Sequence, residues 1–326
     1  MRAIVITDDK KLEMREVEMP VLRAGEVLIK VEAAAVNRAD LMQVEGTYPP
    51  PPGCPEWPGL EVAGEIAALS PEAQKSGRWQ VGDRVCALLG GGGYAEYVAV
   101  EEGMVMSIPK GLTAVEAAAL PEAFATAYLN LFVEGGAKAG QTFLMHAGAS
   151  GLASVVIPMA KAFGLRVITT VLNDKAEESI QHLGADVIVN TSREDIVDVL
   201  AREAAAGHPL NLAIDCLGSE KVGECFPHVA YMCKWIMIAT LAGDISPVNM
   251  RTMFMKNIRL IGSTLRSKTP AFKSEILAKL EKDIWPLVES GRVRPTIWRV
   301  MPITEANEAH ALLREGKSAG KVVMTW

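Results

Sequence analysis

From residue 141 onward the chain alternates between two periods. Short apolar runs at 141–146, 166–171, 186–189, 210–215, 235–238 and 259–261 have the length and β-branched content of buried strands. Segments of helical period lie between most of them. Over 175–183, Ile180 and Leu183 face inward and Glu177 and Glu178 outward; over 194–205, Ile196, Val199 and Leu200 face inward. Repeated strand and helix predict a parallel sheet covered on both faces, and six strands supply the two halves of a Rossmann doubly wound sheet.

The first of these strands runs into a Gly-rich turn, His146-Ala-Gly-Ala-Ser-Gly-Leu-Ala153, and then an apolar helix. Backbone N–H groups at such a helix start, with the positive end of its dipole, favour a dinucleotide pyrophosphate. The dinucleotide fingerprint asks for glycine at the turn, at the phosphate approach and at the helix packing position. Here those places are Gly148, Ser150 and Ala153, so only the first is glycine. Taken alone the motif reads equally as an ordinary tight turn; placed after the first strand of six it reads as a cofactor site, with Gly151 and Leu152 beside it.

The first 140 residues differ in texture. Strand-like segments at 3–7, 26–34, 61–68, 84–88 and 95–100 are separated by Gly-Asp and Pro-rich turns, as in an irregular β-rich domain. Tyr48 precedes four prolines, which force an extended loop. A helical pattern from Thr113 is broken at Pro121, the expected hinge between domains. After a polar connection at 263–269 the pattern predicts one helix over 270–290 and a last strand over 321–326, which rejoins the N-terminal domain. The expected division is a discontinuous domain of 1–120 and 264–326 around a Rossmann domain of 121–263.

A length of 326 residues suits two domains, and 49% apolar against 22% charged residues permits a substantial core. The net charge of −6 makes nucleic acid an unexpected partner. No apolar run approaches the ~20 residues of a membrane span, and the N-terminus lacks a signal pattern. Five cysteines without Cys-x-x-Cys spacing suit reduced thiols in a cytoplasmic protein.

Several stretches together carry a resemblance: Ala35-Val-Asn-Arg-Ala-Asp-Leu-Met42, Gly59-Leu-Glu-Val-Ala-Gly64, Val81-Gly-Asp-Arg-Val85, Gly92-Gly-Tyr-Ala-Glu-Tyr97, Ala119-Leu-Pro-Glu-Ala123, His146-Ala-Gly148, Thr264-Leu-Arg-Ser267 and Gly320-Lys-Val-Val323. The whole chain resembles the medium-chain dehydrogenases/reductases, and more narrowly the zinc-free NAD(P)H quinone oxidoreductases of the tumour-suppressor-inducible subgroup. The resemblance implies an α/β protein with a GroES-like β-rich catalytic domain and a Rossmann domain, assembled as a homodimer edge to edge through the nucleotide sheets. Zinc-dependent relatives place a Cys where this chain has Asn37, a His where it has Leu60 and a Cys or acid near Phe124. Amide and alkyl groups do not anchor Zn²⁺, and the five histidines are scattered, so no metal is expected. Without a Lewis acid, reduction of an electron-poor quinone or enone is the better-supported chemistry.

The same resemblance assigns candidate residues. Tyr48 would hold the acceptor oxygen or the nicotinamide amide, Asn37 would face the nicotinamide, and Ser150 would contact pyrophosphate or substrate; their bland readings are a loop tyrosine, a satisfied buried amide and a helix cap. Thr126 matches a nicotinamide contact, and Asp40 with Arg38 reads as a structural polar pair. Leu172 stands at the position that selects between NAD and NADP, where an acid or a small residue is usual. Asn173 and Lys175 offer ligands for a 2′-phosphate, Asp174 opposes one, and Thr191 replaces a family tyrosine that Ser192 and Arg193 could replace in turn. The expected cofactor is NADPH, with NADH possible. Cys216, Leu217, Ala239, Leu241, Thr264, Leu265 and Arg266 line the rest of the cofactor wall, and Lys321 approaches the adenine phosphate end. Rival expectations are an enoyl reductase on the same scaffold, a cofactor-binding protein with little catalysis and, more distantly, a zinc alcohol dehydrogenase.

Overall fold

A computed structural model describes residues 1–316 and 319–326. The chain divides into two compact units, Met1–Ala125 with Arg266–Gly291 and Pro295–Trp326, and Thr126–Leu265 with Arg292–Arg294. The first unit therefore keeps Pro121, which opens the helix Pro121–Tyr128 rather than ending one. Proline is tolerated there because the first-turn N–H groups have no partner within the helix.

The second unit is built on six parallel strands, Thr142–Met145, Arg166–Val171, Val187–Asn190, Leu210–Asp215, Val229–Met237 and Arg259–Gly262. Their order across the sheet is 3-2-1-4-5-6. All six strands expected from the apolar runs are present. Leu144, Ile168, Val189, Ala213 and Trp235 pack with Ile196, Val199 and Leu200 of the helix Ile196–Ala205 into one core. The three inward positions read from the helical period are thus buried, together with Glu203, which pairs with Arg166. The strand order reverses between Thr142–Met145 and Leu210–Asp215, where parallel sheets of this kind bind ligands beyond their carboxyl ends.

The first unit holds a seven-membered sheet path plus a strand pairing off it. Lys321–Thr325 pairs antiparallel with Glu26–Ala35, so the C-terminal tail does rejoin the N-terminal domain. The single helix expected over 270–290 is two, Pro270–Asp283 and Trp285–Glu289, because Pro286 lacks the N–H that would continue the first. Strands Leu12–Glu16, Val105–Ser107 and Ile297–Pro302 and helices Arg38–Glu45 and Ala306–Arg314 were not legible in the pattern. Among the described residues no helix is long and apolar enough to cross a membrane.

Candidate active site

In the second unit the Gly-rich turn follows the strand Thr142–Met145 and enters the helix Ala153–Ala162. Within the turn the left-handed conformation is taken by Ala147, φ 56°. Gly148 is required by contact: a Cβ there would lie 2.5 Å from Thr169 Oγ1 and 2.9 Å from Ile180 Cδ1. Thr169 is buried and its hydroxyl donates to Met145 O at 2.7 Å, so it has little freedom to yield. Ser150 Oγ accepts from Ala153 N at 3.1 Å, a cap on the entering helix. The turn leads into the first residues of the helix Ala153–Ala162, where backbone N–H groups have no partner within the helix and suit an anion.

Beside this turn His146 is buried and meets Thr170 Oγ1 through Nδ1 at 3.0 Å. Burial holds its imidazole below the ordinary value, against the pull of Asp215. Asp215 is sealed in by three donors: Leu217 N at 2.7 Å, Gly218 N at 3.0 Å and Trp235 Nε1 at 2.9 Å. It fixes the turn that carries Cys216 and Leu217. Leu241 N in turn donates to Cys216 O at 3.1 Å, which joins the ends of the fourth and fifth strands. Leu265 is buried, Leu241 is exposed, and Ala239 and Thr264 follow the fifth and sixth strands. Thr126 lies in the helix Pro121–Tyr128, its carbonyl accepting from Asn130 Nδ2 at 2.8 Å.

At the end of the second strand Leu172 is 75% exposed. Asn173 caps the helix Asp174–Ile180, its Oδ1 accepting from Ala176 N at 3.0 Å, and Lys175 is exposed. Thr191 Oγ1 donates to Val171 O at 3.0 Å. Arg193 is not an open cation: it pairs with Asp174 at 3.1 Å and also with Glu177. Two carboxylates thus already neutralise the side chain expected to compensate for the missing tyrosine.

The first unit brings together a cluster that only part of the sequence reading anticipated. Lys321 Nζ donates to Glu61 Oε1 at 2.6 Å, to Asn37 Oδ1 at 2.7 Å and to Val36 O at 3.4 Å. Asn37 Nδ2 donates to Glu61 Oε1 at 3.0 Å. The side chains of Lys321 and Glu61 are 4% and 0% exposed, a sealed ion pair. With its three N–H groups engaged, Lys321 has none for a phosphate, which corrects its expected role. Asn37 is a satisfied amide within this pair rather than an open group. Glu61 was missed; it opens the strand Glu61–Leu69, in which it is buried while the second acid, Glu65, is exposed, a difference the sequence does not announce.

Asp40 also departs from expectation. It accepts from Asn37 N and Gly59 N, each at 2.8 Å, instead of pairing with Arg38. Full burial outweighs these bonds and the attraction of Lys321, and pushes its carboxyl up to about 6.

Tyr48 is half-buried, and its ring lies under the guanidinium of Arg266, 5.0 Å from centroid to Cζ. Arg266 is itself buried and donates to Gly90 O at 2.6 and 3.0 Å, to Tyr48 O at 3.1 Å and to Gln43 Oε1 at 2.6 Å. It clamps the tyrosine loop and is therefore not the cofactor-wall cation the sequence suggested. Burial chiefly raises the Tyr48 phenol above its ordinary value; Arg266 lowers it and Glu122 adds to the rise.

Residues 23–110 match the family model for the alcohol dehydrogenase GroES-like domain, and residues 151–282 that for zinc-binding dehydrogenase. The chain belongs to the medium-chain dehydrogenases/reductases. Human quinone oxidoreductase is 27% identical to it over 99% of this chain and 97% of its own. An alcohol dehydrogenase of Geobacillus stearothermophilus is 28% identical over 99% and 98%. A mycobacterial protein solved in complex with NADPH superposes with a TM-score of 0.86 at 25% identity, covering all of both chains. This medium-chain dehydrogenase/reductase is accordingly an oxidoreductase of a nicotinamide cofactor acting on a small molecule, and its Gly-rich turn fits the cofactor's pyrophosphate.

Zinc fits less well. Leu60 and Phe124 are buried hydrocarbon, 1% and 0% exposed, and Asn37 is already bound to a buried ammonium. Among the described residues no group of three His, Cys, Asp or Glu could hold a metal ion. A divalent cation beside Lys321 would add like charge where one cation is already sealed in.

Replacing Gly148 by alanine is expected to weaken nucleotide binding at least about tenfold and to cost about 1–3 kcal/mol of stability, since the added methyl overlaps a buried threonine. Titration of the bound reduced nicotinamide's fluorescence and urea unfolding read the two effects.

Proposed function

We propose that this protein reduces a quinone or conjugated carbonyl with NADPH, without zinc. The observation that carries the reading is the sealed Lys321–Glu61–Asn37 cluster where zinc-dependent relatives would place a metal ligand. A site without a Lewis acid suits acceptors that are electron-poor before they bind. The cofactor supplies a hydride to the acceptor when bound. The chain's part is to orient both partners and to give a proton to the acceptor oxygen, and Tyr48 is the donor: its hydroxyl has no hydrogen-bond partner among the described residues, while Arg266 fixes its loop.

NADPH is favoured by the exposed Lys175 near the ribose end, and pairing of Arg193 with Asp174 and Glu177 makes the preference over NADH a weak one. The test is consumption of each reduced nucleotide by purified, metal-free protein with an ortho-quinone, a para-quinone and a simple enone. Rapid NADPH oxidation with a quinone supports the reading. Turnover on the enone alone would favour an enoyl reductase, and nucleotide binding without turnover would leave a cofactor-binding protein.

The assembly is proposed to be a homodimer through the nucleotide sheet. Its edge strand Arg259–Gly262 exposes Leu260, and Met250, Phe254 and Tyr231 are each more than 60% exposed nearby. An unpaired edge beside an apolar surface favours association. Sedimentation should give twice the chain mass of 35.0 kDa, and Phe254→Glu should shift it toward monomer.

A further inference from the structure

Four prolines follow Tyr48, so the chain over 49–52 is stiff and its course is set at its two ends. At the near end Thr47 N and Tyr48 N both donate to Met42 O, at 3.0 and 3.2 Å, which ties the tyrosine to the helix Arg38–Glu45. Tyr48 O accepts from Arg266 at 3.1 Å. At the far end Glu56 O accepts from Gln43 Nε2 at 2.7 Å. The same Gln43 accepts from Arg266 through Oε1 at 2.6 Å. One side chain, 5% exposed, thus touches both the cation that holds Tyr48 and the far end of the loop. Between the ends the loop is seated on glycines: a Cβ at Gly90 would lie 2.5 Å from Cys54 Sγ, and one at Gly92 2.7 Å from Pro55 Cγ. Arg266 donates twice to Gly90 O, so one guanidinium holds the loop and its seat together.

The two partners select the residue between them. A backbone carbonyl only accepts and a guanidinium only donates, so the group that joins them must do both, which an amide does. Leucine would strip Glu56 O and Arg266 of these bonds, and glutamate would set a second acceptor against Glu56 O.

We propose that Gln43 is a positioning residue for Tyr48, an inference that rests on the assignment of Tyr48 as proton donor above. Its buried amide fastens the far end of the proline loop directly and the near end through Arg266, and so sets where the phenol stands. Gln43 itself takes no part in the transfer of hydride or proton.

The test is a double-variant cycle on kcat for quinone reduction, with NADPH affinity measured alongside. Gln43→Leu should lower kcat about tenfold, as expected of a displaced catalytic group, and leave the dissociation constant of NADPH within about twofold of wild type. In a Tyr48→Phe background the same change should cost less than about twofold, because there is no longer a phenol to place. A merely structural role would give the full loss in both backgrounds.

A second readout needs no turnover. Cys54 lies within the loop and is the one cysteine among the described residues that is not buried. In Gln43→Leu its thiol should react with an aromatic disulfide reagent at least about fivefold faster, since the lost hydrogen bonds let the loop open. Should Gln43→Leu not fold, Gln43→Glu carries the same tests: it keeps an acceptor for Arg266, loses the donor to Glu56 O, and should speed Cys54 and lower kcat in the Tyr48 background only. A Gln43 variant with wild-type kcat, or with equal losses in both backgrounds, overturns the positioning role alone. A Tyr48→Phe enzyme with wild-type kcat overturns the assignment of Tyr48, and a wild type that oxidises neither nucleotide overturns the reductase reading; either takes the positioning role with it.

Discussion

Lys321→Met is expected to destabilise the protein by about 3–5 kcal/mol, the cost of leaving one member of a sealed ion pair behind. Lys321 and Glu61 are 2.6 Å apart with side chains 4% and 0% exposed, so water cannot enter to solvate the remaining carboxylate. Glu61 would keep the Asn37 amide and the Glu122 backbone N–H as donors, but neither carries a charge. Methionine fills a similar volume, so the loss is electrostatic rather than a cavity. Urea unfolding at neutral pH measures it, and the double variant Lys321→Met with Glu61→Gln should recover most of it, since glutamine keeps an acceptor for both donors and removes the charge. Such recovery is the non-additivity expected of two residues in direct contact. A single variant within about 1 kcal/mol of wild type would show that the pair is solvated and worth little.

Tyr48→Phe is expected to lower kcat for quinone reduction about a hundredfold while leaving stability within about 0.5 kcal/mol. The two effects separate because the phenol hydroxyl bonds to nothing among the described residues, while the ring's stacking on Arg266 survives the change. NADPH affinity should hold, since the nucleotide turn is built from the second unit. Arg266→Met makes the contrast: it strips hydrogen bonds from Gly90 O, Tyr48 O and Gln43 Oε1 and should cost stability as well as rate. A Tyr48→Phe enzyme with wild-type turnover would remove Tyr48 from the chemistry and leave water as the proton source.

The nucleotide-binding half is largely legible in the sequence. Its central strands Thr142–Met145, Arg166–Val171 and Leu210–Asp215 are buried on both faces, so each reads as an apolar run, and the helix Ile196–Ala205 shows one apolar stripe. The elements missed elsewhere share a cause. Leu12–Glu16 is a ribbon with one buried residue, and Val105–Ser107 is three residues long, so neither carries a period to detect. Helix Arg38–Glu45 buries Asp40 and Gln43 beside Leu41 and Val44, so it shows no clean apolar stripe, and it is held by Asp40 bonds that its own pattern does not announce.

The candidate site divides along the same line. Gly148, Ser150, Gly151 and Leu152 stand in one local turn, and a turn is encoded by neighbours in the chain. Tyr48 and Asn37 were found by resemblance, but their surroundings were not. Lys321 reaches Glu61 across 260 residues and Arg266 reaches Gln43 across 223, and nothing in either local segment indicates the partner. Read alone, Lys321 looks like a phosphate contact and Arg266 like part of the cofactor wall. Local sequence therefore determines where strands, helices and the phosphate turn lie, because periodicity and backbone conformation are short-range properties. Tertiary structure decides what each charged side chain does, because burial and pairing depend on groups brought together only when the chain folds.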